Sequence, residues 1–148
     1  MPASLNDTTL FYAWRAMPDA DAASLSSLGP YYQHRIWFSQ EREAGRLRTI
    51  RYSFDKRTSK VGYVRMDAER WVSIYVEQWV RGRGISTHAL RLFGKQMGAP
   101  LKAQIRSENE RSVRAFTSAG FAEIAYSPSL VAEPPRPGLV MMLWGGHA

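Results

Sequence analysis

The hydrophobic and polar positions in the middle of the chain first alternate with the period of a β-strand and then change to the period of a helix. Between residues 72 and 76, apolar side chains alternate with Ser73 and Tyr75, which predicts a strand. Gly82 and Gly84 then indicate a tight turn. Apolar residues follow at steps of three and four, which is typical of one face of a helix. This stripe consists of Ile85, Ala89, Leu92, Phe93 and Met97.

The same two periods divide the rest of the chain. Strands are predicted over residues 48–54, 60–66, 71–76, 101–105, 122–126 and 139–144. Helices are predicted from the capping-box residue Ser4 to Trp14, over residues 31–44, after Gly84 and after Asn109. Residues 55–59 read as a polar hairpin loop, and Ser107 with Glu110 has the spacing of a capping box. Residues 127–138 contain four prolines and are expected to form a semi-rigid surface loop beside a ligand pocket.

Composition limits the class of protein. A chain of 148 residues, 45% of them hydrophobic, predicts one domain over residues 1–148 with a single core. The absence of cysteine excludes disulfides, thiolate metal sites and a cysteine acyl-enzyme. His34, His88 and His147 are too scattered to predict a metal site. The sequence contains neither a membrane-spanning stretch nor a secretory signal pattern, so a soluble, cytoplasmic protein without a membrane partner is expected.

The charge predicts an anionic partner. Twenty basic residues against thirteen acidic residues give a net charge of +7. The arginines are spread along the chain rather than gathered in one run or one recognition helix, which argues against nucleic acid. A small ligand that carries phosphate groups would need only a few of them.

The glycine turn is the strongest candidate for a phosphate site. The first N–H groups of the following helix have no partner within the helix, and they point into the turn beside Arg81 and Arg83. There is no Gly-x-x-x-x-Gly-Lys-Ser/Thr run and no third glycine spaced for a dinucleotide fold. A Gly-x-Gly turn alone also fits an ordinary helix cap.

Two ordered motifs give this turn a family resemblance. The run Arg81-Gly82-Arg83-Gly84-Ile85-Ser86 resembles the Arg/Gln-x-x-Gly-x-Gly/Ala loop that holds the pyrophosphate of acetyl-coenzyme A in the GCN5-related N-acetyltransferases (GNAT). The segment from Asn109 to Phe121 resembles the second cofactor helix of that family. Ser86 departs from the usual glycine or alanine, and Phe116 stands where many members have a tyrosine that protonates the departing thiolate.

The resemblance implies a fold, a co-substrate and a set of contacts. The implied fold is an α/β (α+β) architecture with a mixed, largely antiparallel central sheet, about four flanking helices and a splayed central strand that holds acetyl-CoA. No metal is implied. The residues implied to bind acetyl-CoA are Ile74, Tyr75, Val76, Arg81, Gly82, Arg83, Gly84, Ile85, Ser86, Asn109, Ser112 and Phe116.

Shorter patterns resemble one acetyltransferase subgroup. Trp14-Arg15, His34 with Trp37-Phe38, and Val64-Arg65-Met66-Asp67 are similar to enzymes that acetylate nucleotide-linked amino sugars in pseudaminic acid pathways. Strand alternation adds Ser73, which shares a face with Tyr75. The implied acceptor-binding residues are Trp14, Arg15, His34, Trp37, Arg65 and Ser73. The aromatic residues and the histidine also fit ordinary core packing.

Acyl transfer to an amine requires a base, a stabilised oxyanion and a proton for the leaving thiolate. His34 is the first candidate base and Glu77 the second, with water-relayed deprotonation as an alternative. Tyr75 is the candidate for protonating the thiolate or positioning the amine, and it also fits cross-strand packing.

The sequence therefore predicts an N-acetyltransferase that acts on a small-molecule primary amine, with an amino-sugar nucleotide as the favoured acceptor. The alternatives are an acetyltransferase for a protein N-terminus, such as that of a ribosomal protein, and a basic binding module that does no chemistry. The sequence is also compatible with a homodimer.

Overall fold

The computed structural model describes Trp14 and residues 45–54, 56–129 and 136–146. Trp14 is helical, in agreement with the predicted first helix. The rest of that helix, the predicted helix at residues 31–44 and part of the proline-rich loop lie outside the described residues. Within the described ranges, no helix is long and apolar enough to cross a membrane.

The first sheet consists of three consecutive antiparallel strands. They are β1 (Leu47–Phe54), β2 (Arg57–Met66) and β3 (Val72–Val76). The predicted five-residue hairpin loop is wrong, because the ladder continues until Phe54 faces Arg57 and leaves only two residues in the turn. Lys56 adopts a left-handed conformation (φ 65°), which closes so short a turn.

The second sheet places the last strand of the chain at its centre. Strand β6 (Leu139–Trp144) pairs antiparallel with both β4 (Leu101–Arg106) and β5 (Ala122–Glu123). The prediction for β4 is confirmed, since its alternate residues Leu101, Ala103 and Ile105 are buried. The prediction of a strand over residues 122–126 is too long. Its edge pairing ends after the Ile124 N–H donates to the Met141 carbonyl.

The described residues include two α-helices, α1 (Ile85–Met97) and α2 (Glu110–Ser118), and a short 3-10 helix at Gln78–Val80. Helix α1 begins and ends as predicted, but its predicted stripe is wrong at Leu92, whose side chain is 44% exposed. Leu90 takes the buried place because it lies one turn from Phe93 and Gly94 on the packed face.

The core lies where α1 and α2 cover both sheets. Phe93 of α1 and Phe116 of α2 are buried with Trp144 of the second sheet. A second buried cluster lies between the start of α1 and the first sheet and includes Val76 and Val80. Both ends of β3 are therefore packed against α1.

Strands β3 and β4 join the two sheets at one point only. Trp71 and Lys102 form a parallel bridge, and the Lys102 N–H donates to the Arg70 carbonyl at 3.0 Å. No ladder between the described strands continues beyond this bridge. The facing edges of β3 and β4 are therefore unpaired toward Val76 and Arg106, in agreement with the predicted splayed central strand, and the space between these edges is the gap referred to below.

Arg70 fixes the closed end of this gap. Its guanidinium donates to the Met97 carbonyl at 2.9 Å, the Pro100 carbonyl at 2.6 Å and the Gly98 carbonyl. The Met97 and Gly98 carbonyls lie at the C-terminus of α1, where a helix has acceptors without intrahelical partners, and the Pro100 carbonyl lies just before β4. The Arg70 side chain thus holds the C-terminus of α1, whereas the N-terminus of this helix lies at the open side of the gap.

Helix α1 approaches the second sheet closely at Gly94. A Cβ atom at this position would lie 3.0 to 3.2 Å from the ring of Trp144, a side chain that is itself only 5% exposed. We expect Gly94→Ala to destabilise the protein by about 1–3 kcal/mol, despite the higher helix propensity of alanine, because a filled core must shift. Denaturant unfolding measures the effect. Lys95→Ala, on the exposed face, is the control, and equal stability of the two variants would contradict this packing.

Candidate functional site

The glycine turn after β3 forms an open cradle at the N-terminus of α1. Gly82 and Gly84 have φ values of 82° and 75°, and a Cβ at either position would meet nothing within 4 Å. The first intrahelical bond runs from the His88 N–H to the Gly84 carbonyl. Among the described residues no side chain caps this terminus, and the first turn contains no acidic residue. Its N–H groups and the positive end of the helix dipole suit an anion.

Two arginines flank the cradle, and each is held by the first sheet. Arg81 donates through Nε to the Val76 carbonyl at 2.9 Å, and its Cζ lies 5.5 Å from the ring centroid of Tyr75. Arg83 donates through Nη1 to the Tyr52 hydroxyl at 3.4 Å and lies over that ring. The guanidinium groups therefore add positive charge at fixed positions beside the turn.

The register of β3 turns alternate peptide groups toward the gap. The Glu77 N–H donates to the Val61 carbonyl at 2.7 Å, in line with the β2–β3 ladder. Odd-numbered residues of β3 thus bond to β2. Because neighbouring residues in a strand direct their N–H and C=O groups to opposite sides, the peptides of Ile74 and Val76 face β4. The Tyr75 peptide faces β2, so only two of the three predicted backbone contacts are on the gap side.

The face of β3 opposite α1 carries a cluster of three aromatic rings. Trp14, Tyr63 and Tyr75 lie with pairwise ring centroids 6.2 to 6.3 Å apart. Trp14 is 1% exposed and Tyr75 is 9% exposed. Trp14, a predicted acceptor-binding residue, and Tyr75, a predicted catalytic residue, are therefore packed against each other in the core.

Glu77, one residue beyond the strand, is held by two indoles. Trp14 donates through Nε1 to Oε1 at 2.6 Å, and Trp79 donates through Nε1 to Oε2 at 2.5 Å. The carboxylate is half-buried. It is thus an oriented group on the aromatic face and differs from a freely solvated charge at a strand end.

Two further predicted acceptor residues share this face. Arg65 of β2 lies directly opposite Ser73 of β3 in the antiparallel register. Both alternate in step with Tyr75, so the register places them on the same face of the sheet. Arg15, His34 and Trp37 lie outside the described residues.

Asn109 and Phe116, which were predicted to contact the cofactor from the second helix, each contribute to the structure of α2. The Asn109 side chain caps α2 by accepting from the Ser112 N–H at 3.4 Å, so the predicted Ser107 capping box is wrong. The Asn109 oxygen reaches the free N–H of the first turn and takes that role. The Phe116 side chain is 3% exposed, and its ring packs edge-on against Phe121 with the ring centroids 4.9 Å apart. Little of its surface is therefore accessible to a ligand.

Substitutions at Asn109 can separate its role as the cap of α2 from a role in ligand binding. Asn109→Ala is expected to destabilise the protein by about 1 kcal/mol, because a helix N–H loses its acceptor. Asn109→Asp keeps an acceptor at the same place and is expected to retain wild-type stability. Denaturant unfolding measures both. A stable Asn109→Asp variant with weakened ligand affinity would instead show that the amide itself contacts the ligand.

Sequence reasoning missed Tyr63 and Trp79. Alternation along β2 places Tyr63 on the face of Arg65, which was a usable signal. Trp79 had a weaker signal: a large apolar residue in a polar turn without a periodic partner. Within the described ranges, no group of three His, Asp or Glu side chains is placed to hold a metal ion.

No protein-family model matches the sequence, and a search of curated proteins found no match. Solved structures do match. A domain from Methanocaldococcus jannaschii DSM 2661 has a TM-score of 0.75 at 20% identity, over 98% of this chain and 96% of that one. Ribosomal-protein-alanine N-acetyltransferase from Brucella melitensis has 0.70 at 19% identity, over 98% of both chains. Aminoglycoside acetyltransferase AAC(6')-Ib in complex with coenzyme A has 0.69 at 13% identity, over 98% of this chain and 92% of that one.

These likenesses define the class of fold. The chain has the α/β fold of the GNAT acetyltransferases.

Proposed function

We propose that the protein transfers an acetyl group from acetyl-CoA to a primary amine. The observation that carries this proposal is the combination of an uncapped helix N-terminus, a turn with two glycines and a gap between parallel strands at one location. The uncapped helix N-terminus suits an anionic pyrophosphate, and the gap between the strands suits an extended thioester arm. Solved structures with this fold include one with coenzyme A bound.

The cradle residues suit a pyrophosphate sterically as well as electrostatically. The space that a Cβ would fill at Gly82 and Gly84 is open, so phosphate oxygens can approach the backbone. The N–H groups from Gly82 to Ser86 would hold the pyrophosphate, and Arg81 and Arg83 would add charge beside it.

The gap supplies groups for the reacting end. Acetyl-CoA provides an activated acetyl thioester when it is bound. The N–H groups of Ile74 and Val76 face the gap and are the proposed donors to the carbonyl oxygen as it gains negative charge. Arg81 donates to the Val76 carbonyl, which faces the same gap, and so holds the end of the strand that carries these donors.

Proton transfer is assigned to the aromatic face. The buried Phe116 has no hydroxyl, so Tyr75 is the proposed donor to the leaving thiolate. Glu77 is the proposed base within the described residues, acting directly or through water, and its two indole contacts orient it. His34, the first candidate base from the sequence, lies outside the described residues and is the alternative proposed base.

The favoured acceptor is an amino sugar, with a nucleotide-linked form as the specific proposal. The support is the face that carries Tyr63, Arg65 and Ser73, which offers an aromatic ring, a cation and a hydroxyl on one side of the gap. A protein N-terminus is the second candidate, favoured by the likeness over 98% of both chains to the ribosomal-protein-alanine N-acetyltransferase.

The first experiment is calorimetric titration with acetyl-CoA, followed by thiol release with amino sugars, nucleotide amino sugars and peptides. We expect binding and amine-dependent thiol release, fastest with an amino-sugar nucleotide. Release only with peptides would favour the second candidate. No binding of acetyl-CoA would reject the proposal, and salt-dependent retention of nucleic acid would then favour a basic binding module.

A further inference from the structure

Trp79 is an exposed aromatic residue whose orientation is fixed. Its side chain is 55% exposed, the largest fraction among the described large hydrophobic residues. The residue lies in the 3-10 helix between β3 and the cradle, and the neighbouring Val80 is fully buried in the core beneath it. Its indole N–H is bonded to Glu77. An aromatic ring anchored at both its backbone and its polar edge presents a preorganised flat surface to solvent.

Glu77, at the N–H edge of this ring, retains capacity for another donor. A carboxylate has about four lone-pair sites, and the two indoles occupy one site on each oxygen. Within the part of the chain that the structure describes, Glu77 forms no ion pair with a basic side chain. It is a negative group in a chain of net charge +7, and the donors that hold it are neutral. An ammonium group satisfies both its charge and its remaining acceptor sites.

Both groups lie on the acceptor side of the proposed reaction. Glu77 continues the alternation of Ser73 and Tyr75 on the face opposite α1, as its bond to Trp14 confirms. It directly follows Val76, whose peptide faces the gap. A ligand held by Glu77 and Trp79 therefore lies beside the proposed reacting centre.

We propose that Glu77 and Trp79 bind the acceptor through its ammonium group and its ring. This inference rests on the proposed function and specifies the acceptor class: a cationic amino sugar whose apolar ring face covers the Trp79 indole while its ammonium donates to Glu77. The aromatic face of tryptophan also attracts a cation directly. The two residues are acceptor-specificity residues, and neither contributes to holding the pyrophosphate.

The test uses glucosamine and N-acetylglucosamine, which share a ring and differ in the charged amine. Binding to the full chain in the presence of coenzyme A is measured by ligand-observed NMR, with Trp79→Ala, Trp79→Phe, Glu77→Gln and the exposed control Leu92→Ala. Thermal unfolding and acetyl-CoA titration verify that each variant keeps its fold and its cradle.

We expect glucosamine to bind the wild type at least about tenfold more tightly than its neutral analogue, since the amine is desolvated against a carboxylate and a ring. Trp79→Ala should lose about tenfold, and Trp79→Phe should retain part of the affinity because the ring remains. Glu77→Gln should lose the preference for the amine, whereas Leu92→Ala should match the wild type.

The proposed site would be rejected if the wild type and Trp79→Ala bound glucosamine equally tightly. It would also be rejected if the wild type did not bind glucosamine. The readout does not depend on acetyl transfer. A wild type that binds glucosamine through Trp79 but releases no thiol from acetyl-CoA rejects the acetyltransferase and keeps the site. A wild type that acetylates amino sugars with the same KM as Trp79→Ala rejects the site and keeps the enzyme.

Discussion

Gly84→Val is expected to weaken acetyl-CoA binding by at least about tenfold, which corresponds to about 1.4 kcal/mol. Gly84 is the N-cap of α1, and its Cβ direction points into open space at the cradle. A valine side chain there would occupy the volume proposed for the pyrophosphate and would hold oxygens away from the helix N–H groups. Calorimetric titration with acetyl-CoA measures the loss.

Helix α1 offers a matched control at its other end. Gly98 has the same φ of 75° as Gly84, and its Cβ direction is equally open. Gly84 is left-handed (ψ 10°), whereas Gly98 (ψ 169°) lies in a region that is essentially restricted to glycine, so both valine substitutions strain the backbone by about 1–3 kcal/mol. Gly98→Val should therefore lose at least as much stability as Gly84→Val and keep wild-type affinity. Equal affinity of the two variants would show that the ligand does not use this turn.

Gly62→Ala is expected to destabilise the protein by at least about 3 kcal/mol, the upper end of the range for overpacking. A Cβ at Gly62 would lie 2.0 Å from the Tyr75 carbonyl oxygen, 2.9 Å from its carbonyl carbon and 3.0 Å from the Val76 Cα. All three are backbone atoms of β3, so no flexible side chain can move aside. Strands β2 and β3 must separate where the Glu77 N–H bonds to Val61.

The same substitution should also reduce acetyl-CoA affinity, because the displaced peptide is the proposed thioester contact. Denaturant unfolding gives the stability, and titration of the folded fraction gives the affinity. Gly145→Ala is the control, since its Cβ would meet nothing within 4 Å. A Gly62→Ala variant as stable as this control would contradict the close approach of the two strands.

The predictions from sequence succeeded where a pattern repeats along one element. Alternation located the buried residues of β4, and the two glycines located the start of α1. They failed where neighbouring elements decide the outcome. Leu92 fits a helical stripe as well as Leu90 does, and only the position of the sheets selects which one is buried. The predicted hairpin loop was too long because Thr58 and Ser59, although polar, pair with β1.

The candidate site shows the same division. The cradle is local, so its glycines and arginines were readable as a motif. The Glu77 carboxylate was assigned as a candidate without its partners, because Trp14 lies 63 residues earlier and meets it only after folding. Trp79 carried no periodic signal at all.

The sequence by itself determined the strand, the glycine turn and the helix that follows, since backbone preferences and side-chain periods act over a few residues. It also determined the positive charge near the turn. Only the tertiary structure decided that β3 and β4 share a single bridge, that Gly62 must lack a side chain and that two indoles hold one carboxylate. These features depend on distances between segments far apart in the chain, which no local preference encodes.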